Sequence, residues 1–286
     1  MTKNSDLEKF IEAIDRRKLL QTFGAGLVAS AVAGSSPAGA HEVNPKTSKP
    51  VMRDRFPGKD PVVAMLIYPK MVLLDLVGPL TVLNILGCEI HLVWKDMTPV
   101  KTVEGIDIAP TMTLDGCPKD VDVLFVPGGT VGTINCMKDD DIIAFMADRG
   151  SRAKYVTSVC TGSLVLAAAG LLRGYKATSL WVVADLLSIM GATHVPHERV
   201  VIDRNRMTGG GVTAGIDFGL VIGAALRGEE EAKRAQLIIE YDPAPPFNAG
   251  SPEGAGEEMA SAVKAARTGL DGMVREAALK AAENFS

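Results

Sequence analysis

Three short stretches constrain this chain most: residues 62–68, 121–126 and 155–159. The first two are nearly continuous apolar runs and the third is rich in β-branched residues. The second and third stop abruptly, at Pro127-Gly128-Gly129 and Cys160-Thr161-Gly162. A strand that is apolar on both faces must be covered on both faces, which is the habit of parallel sheets. Helical patterns fall between and beyond these runs, at 76–86, 139–149, 164–172, 181–190 and 214–227. The run 89–94 alternates as a further strand, 98–114 reads as an excursion of short strands, and 200–203 and 207–208 meet across Arg204-Asn205. Strand–helix alternation predicts an α/β domain with an open, mostly parallel sheet and helices on both faces. In such sheets ligands bind beyond the carboxyl ends of the strands, where Gly128, Gly129 and Cys160 fall.

The front of the chain reads as an address. Arg16-Arg17 precede an apolar, Gly- and Ala-rich stretch (23–33) too short to span a membrane, and Ala38-Gly39-Ala40 fits a small-residue cleavage site before His41. The pattern resembles a twin-arginine (Tat) signal, so the expectation is export through the Tat translocon to the periplasm, with no stable membrane anchor. The expected organisation is a signal (1–40), a polar tether (41–60), an α/β domain (61–250) and a helical tail (251–286) after a Gly-rich hinge.

With 30 basic against 34 acidic residues, the chain offers no electrostatic footprint for nucleic acid. Four cysteines, at 88, 117, 136 and 160, carry neither a CxxC pair nor companion histidines, which argues against zinc. A Cys88–Cys117 bridge is compatible with an oxidising compartment.

Cys160 has the position of a nucleophile. A thiol between a strand and a helix faces unpaired N–H groups and the positive end of the helix dipole, and both favour thiolate. The geometry is that of a nucleophile elbow with sulfur in place of a hydroxyl. The Gly128-Gly129 backbone, together with the Thr161 N–H, could form an oxyanion-type hole. Asp75, a lone carboxylate among apolar residues, reads equally as the N-cap of the next helix or as a desolvated acid able to donate a proton near neutrality. Histidine is scarce. His91 lies in a strand pattern, and His194 and His197 flank Pro196 in a loop, so a Cys–His pair is not supported; His197 is the best remaining candidate. No GxxxxGK[ST] and no GxGxxG after the first strand points to a phosphate loop.

Four motifs in order carry a resemblance: Leu74-Asp75-Leu76-Val77-Gly78-Pro79, Val126-Pro127-Gly128-Gly129, residues 156–163 around Cys160, and residues 208–217 opening with Thr208-Gly209-Gly210-Gly211. With the tail segment 241–250, they resemble the isonitrile hydratases of the DJ/PfpI-like branch of the class I glutamine amidotransferase-like superfamily. The resemblance implies a flavodoxin-like three-layer α/β sandwich, a homodimer, and neither metal nor organic cofactor. It implies Cys160 as nucleophile, Asp75 as its proton partner and Thr161 as a group positioning substrate or water, in a lyase that hydrates an isonitrile to an N-substituted formamide. Glyoxalase, deglycase, peptidase or redox-sensor roles are the alternatives within the superfamily. Leu180 stands where relatives often have a histidine, which makes the pocket more apolar.

Overall fold

The computed structural model describes residue 56 and residues 58–285; the signal reading and most of the tether fall outside the described residues. Strand β1 (Val62–Leu66) is buried along its whole length. Helix α1 follows (Leu73–Ile85), beginning earlier than the apolar pattern suggests. Its N-cap, Val72, has no capping side chain. The Leu73 N–H donates instead to both carboxylate oxygens of Glu104, each at 3.2 Å. A cap supplied from 31 residues away cannot be read from local sequence, and it places Asp75 inside the first helical turn rather than at its cap.

The chain continues through β2 (Glu89–Trp94), the small β3 (Val100–Lys101) and β4 (Asp107–Ile108) pair, and β5 (Met112–Thr113). Strand β6 (Val123–Val126) leads into α2 (Thr130–Met137), a helix the sequence pattern does not anticipate. Helix α3 (Asp140–Arg152) is capped by Asp139, whose side chain accepts from the Ile142 N–H at 3.3 Å. Strand β7 (Tyr155–Val159) then breaks at Cys160 into α4 (Gly162–Ala168). Gly170, at φ +75°, ends that helix earlier than the 164–172 pattern suggests.

Next come β8 (Lys176–Ala177), α5 (Leu186–Ile189) and β9 (Thr193–His194). Only the last part of the expected 181–190 helix is helical; turns occupy 181–185. The chain closes with β10 (Val200–Asp203), β11 (Arg206–Gly209), α6 (Ala214–Arg227), α7 (Glu229–Ile238), the short α8 (Pro252–Ala255) and the long α9 (Glu257–Glu283).

Among the described residues the main sheet has seven strands in the order β10-β11-β7-β6-β1-β2-β5. All its pairings are parallel except β10 with β11, which form an antiparallel edge hairpin. This is the mostly parallel α/β sheet that the alternation predicts. From β1 the chain first builds outward to β2 and then returns to β6 on β1's other side, so the direction of winding switches between β1 and β6. A crevice opens at such a switch because the two connections leave in opposite directions.

Helices α1 and α6 pack together, with Phe218 of α6 stacked on Phe125 of β6 at 5.5 Å. Helix α9 packs on α2, α4 and α5. All four cysteines are buried and none is in a disulfide, so the Cys88–Cys117 bridge does not form.

Candidate active site

Three loops meet at the switch point, following β1, β6 and β7, and each brings one element of the site. Cys160 sits at φ +56°, in the left-handed region, a conformation costing a non-glycine residue roughly 1–3 kcal/mol. The surroundings hold it there. Its N–H donates to the carbonyls of Gly210 at 2.6 Å and Gly209 at 3.1 Å. Its own carbonyl accepts from Ser179 Oγ at 3.0 Å and Ser163 Oγ at 3.2 Å. The elbow is therefore pinned on both sides of one residue, by the β11 turn and by two hydroxyls.

Asp75 has no exposed surface. Its Oδ2 accepts from the Gly128 N–H at 2.9 Å, and the Cys160 thiol hydrogen-bonds the same carboxyl. Its Oδ1 is buried and meets no N–H or O–H donor. Burial, aided by the nearby Glu104 charge, raises the Asp75 pKa from 3.8 to about 6, against the lowering by Gly128 and the thiol.

Gly128 must be glycine. A Cβ there would lie 2.5 Å from Asp75 Oδ2, 2.6 Å from the Cys160 Cβ and 2.8 Å from the Thr161 nitrogen. Gly129, at φ +143°, takes a backbone conformation that side chains disfavour. The glycines bring acid and thiol together, but their N–H groups are already engaged. Gly128 donates to Asp75, and Gly129 donates to Thr161 Oγ1 at 3.0 Å. An oxyanion hole built from these two groups is therefore not what the loop provides; it orients the acid and ties itself to the elbow.

Thr161 is fully buried, and its hydroxyl also shares a hydrogen bond with Thr133 of α2 at 2.8 Å. Its role in this geometry is to join the elbow to the glycine loop, while its backbone N–H interacts with the Cys160 sulfur. Tyr68 extends the network: its hydroxyl donates to the Pro127 carbonyl at 2.6 Å and lies 3.4 Å from Thr133 Oγ1. Tyr68, Thr133, Ser163 and Ser179 are not among the sequence candidates. Each is an ordinary polar residue in a buried run, and only tertiary structure gives it a partner. The one local signal is that buried hydroxyls need partners at all.

The expectation that the elbow favours thiolate is overturned. Burial raises the Cys160 pKa well above that of an ordinary thiol, the neighbouring Asp75 charge adds to the rise, and the Thr161 N–H and Arg267 only partly oppose it. Desolvation outweighs the helix N-terminus because the sulfur is almost wholly enclosed. Near neutral pH the proton therefore sits on sulfur and the charge on Asp75. Such a pair is poised for proton transfer rather than carrying a standing thiolate.

No histidine joins the groups acting on Cys160. His197 is exposed and paired with Glu253 at 3.1 Å, and His91 pairs with Glu89 at 3.2 Å. Among the described residues no cluster of His, Cys, Asp and Glu could hold a metal ion. Leu180 stands beside the Gly209–Gly211 turn, 3.5 Å from where a Cβ on Gly211 would lie, next to the Ser179 that holds the Cys160 carbonyl.

With this geometry in view, the relationships of the chain are informative. Residues 62–225 match the DJ-1/PfpI family. The chain belongs to that family. It is 48% identical over 192 residues to an isonitrile hydratase of Pseudomonas putida, spanning 67% of this chain and 83% of that protein. A deglycase of Pyrococcus horikoshii is 28% identical over 132 residues, 46% of this chain and 78% of its own. The crystal structure of a ThiJ/PfpI family protein from Pseudomonas syringae superposes with a TM-score of 0.75 at 47% identity, covering 85% of this chain and 98% of that one. The family-matched stretch holds every residue of the thiol–carboxyl centre and ends within α6.

Proposed function

We propose that this protein is a cysteine-dependent lyase that adds water to an isonitrile to give an N-substituted formamide. The observation that carries the reading is the contact of a buried thiol with a buried carboxyl whose pKa stands near 6, with no histidine at the site. The similarity to the Pseudomonas putida isonitrile hydratase over most of that protein's length supports it.

The terminal carbon of R–N≡C must accept a nucleophile and a proton, and one thiol–carboxyl pair supplies both. The Asp75 carboxylate takes the thiol proton as sulfur attacks that carbon, then delivers it to the same carbon, giving a thioimidate, R–N=CH–S–Cys160. Water next adds across the C=N bond, its hydroxyl going to carbon and its proton to nitrogen. Collapse of this adduct expels sulfur, which regains the hydroxyl proton, and leaves R–NH–CHO. The Asp75 carboxyl carries these protons, and its buried Oδ1, which meets no donor, has room to accept one. Leu180 favours apolar R groups.

A redox-sensor role fits less well, because Cys160 is only 3% exposed and reversible oxidation selects accessible, low-pKa thiols.

Export belongs to the same proposal: Arg16-Arg17, the short apolar stretch and Ala38-Gly39-Ala40 support passage through the Tat translocon to the periplasm, with cleavage after about Ala40. No described helix is long and apolar enough to cross a membrane. A homodimer, implied by the resemblance of the four motifs, completes it.

The test is formamide production from an aryl isonitrile by the chain from His41 to Ser286, read by chromatography. Turnover that Cys160→Ala abolishes supports the hydratase; no turnover by a folded protein whose Cys160 still alkylates rejects it.

A further inference from the structure

The C-terminal helix α9 lies beyond the family-matched stretch, yet it reaches the thiol centre through one side chain. Arg267 lies about a third of the way along α9, on the helix that packs against α2 and α4. Its Nη2 donates to Asp271 Oδ1 at 2.9 Å and, more weakly, to Thr130 Oγ1 at 3.4 Å. Thr130 is the first residue of α2 and directly follows Gly129, whose N–H holds Thr161. The Arg267 Nε–H is buried and has no acceptor. A buried donor left without a partner is destabilising, so simple anchoring of the helix does not account for it.

We propose that Arg267 is a positioning residue of the thiol centre: from α9 it braces the start of α2 behind the glycine loop and supplies the positive field in which the Cys160 sulfur becomes thiolate.

Other groups around the sulfur have the opposite sign or no charge. Asp75 faces it from α1, Tyr68 from the end of β1 and the Thr161 N–H from α4, while Cys136 on α2 acts on Tyr68. Glu104 acts on Asp75 from the β3–β4 turn, and Asp271 is the counter-charge of Arg267. The pull of Arg267 on Cys160 is favourable to thiolate, as is that of the Thr161 N–H. A cation held beside the crevice, part-buried and already ion-paired, stabilises charge developing on sulfur without itself needing to move. The C-terminal helix is on this view part of the reaction centre.

The proposal deepens the hydratase reading of the same site, but its principal test needs no turnover. The rate of Cys160 alkylation by iodoacetamide is followed against pH in the full chain, by mass spectrometry of the Cys160 peptide, with the melting temperature alongside. Arg267→Gln should move the profile upward by about one pH unit, a roughly tenfold loss of rate at fixed pH. Arg267→Lys should recover most of that loss, and Asp271→Asn, which removes the counter-charge, should shift the profile the other way. If isonitrile turnover is present, kcat should fall in Arg267→Gln with KM little changed. A profile in Arg267→Gln that overlays the wild type overturns the proposal. So does an equal loss in the Lys and Gln variants that tracks their melting temperatures, since that is the mark of a structural brace alone. Absence of turnover in the wild type would sink the hydratase reading and leave the alkylation result standing.

Discussion

Cys160 and Cys136 are a natural pair to compare: each thiol is 3% exposed, each lies close enough to act on Tyr68, and burial raises the pKa of both. Yet their settings differ in every other respect. Cys136 lies inside α2, and the charges acting on it are Asp139 and, with a smaller and opposing effect, Lys95. Cys160 sits at a positive φ, hydrogen-bonds a buried carboxyl, and faces the Thr161 N–H and Arg267. Burial alone makes a thiol inert. A proton acceptor in contact, a backbone N–H and a cation convert the same burial into a low-dielectric site where proton transfer and attack can be concerted.

The largest effect should come from exchanging the two. Cys160→Ala should remove isonitrile turnover by about 10³-fold or more, while Cys136→Ala should leave kcat within about threefold. Equal losses in the two variants would erase the distinction. Asp75→Asn attacks the difference at its cause. Turnover should fall by about 10²–10⁴-fold. The wild-type kcat/KM, rising with pH around an apparent pKa near 6 as the carboxyl ionises, should lose that limb in the variant. A limb that survives in Asp75→Asn would assign it to another group. Gly128→Ala is the next step down. Its new Cβ must push apart Asp75 Oδ2 and the Cys160 Cβ, at 2.5 and 2.6 Å, so a loss of about 10²-fold is expected from misplacement alone, with the fold retained by circular dichroism.

The smallest effect is thermodynamic and of opposite sign. A carboxyl whose pKa rises from 3.8 to about 6 on folding binds more protons folded than unfolded. Its contribution to stability is thus fully present below about 3.8 and is lost as pH rises through about 6. At pH 7.5, Asp75→Asn should relieve up to about 3 kcal/mol and raise the melting temperature, with the gain shrinking toward pH 4. A melting temperature lowered equally at both pH values would show that the carboxyl is no burden to the fold.

Much of this architecture was visible from the chain. The apolar runs at 62–68 and 121–126 and the β-branched run at 155–159 identify central strands because burial on both faces leaves no room for alternation. Cys160 stands out because a strand and a helix meet at it without a linker. What stayed hidden depends on distant partners. The early start of α1 rests on Glu104, the engagement of the glycine N–H groups on Asp75 and Thr161, and the hold on the Cys160 carbonyl on Ser179. The ionisation of the thiol escapes local reading for the same reason: the helix terminus is local and legible, whereas enclosure by three loops is not. Arg267 lies more than a hundred residues from the elbow, on an amphipathic helix whose sequence shows nothing but a solvated arginine.

The grip of the β11 turn on the elbow also sets a timetable. The Cys160 N–H finds its acceptors only in Gly209 and Gly210, and β7 needs β11 as its second neighbour in the sheet. Asp75, Gly128 and Cys160 all leave the ribosome before those glycines do. Until that turn docks, the Cys160 N–H lacks its acceptors and the elbow is held from its carbonyl side alone, by the hydroxyls of Ser163 and Ser179. The thiol–carboxyl centre is thus complete only once the β10–β11 hairpin is in place.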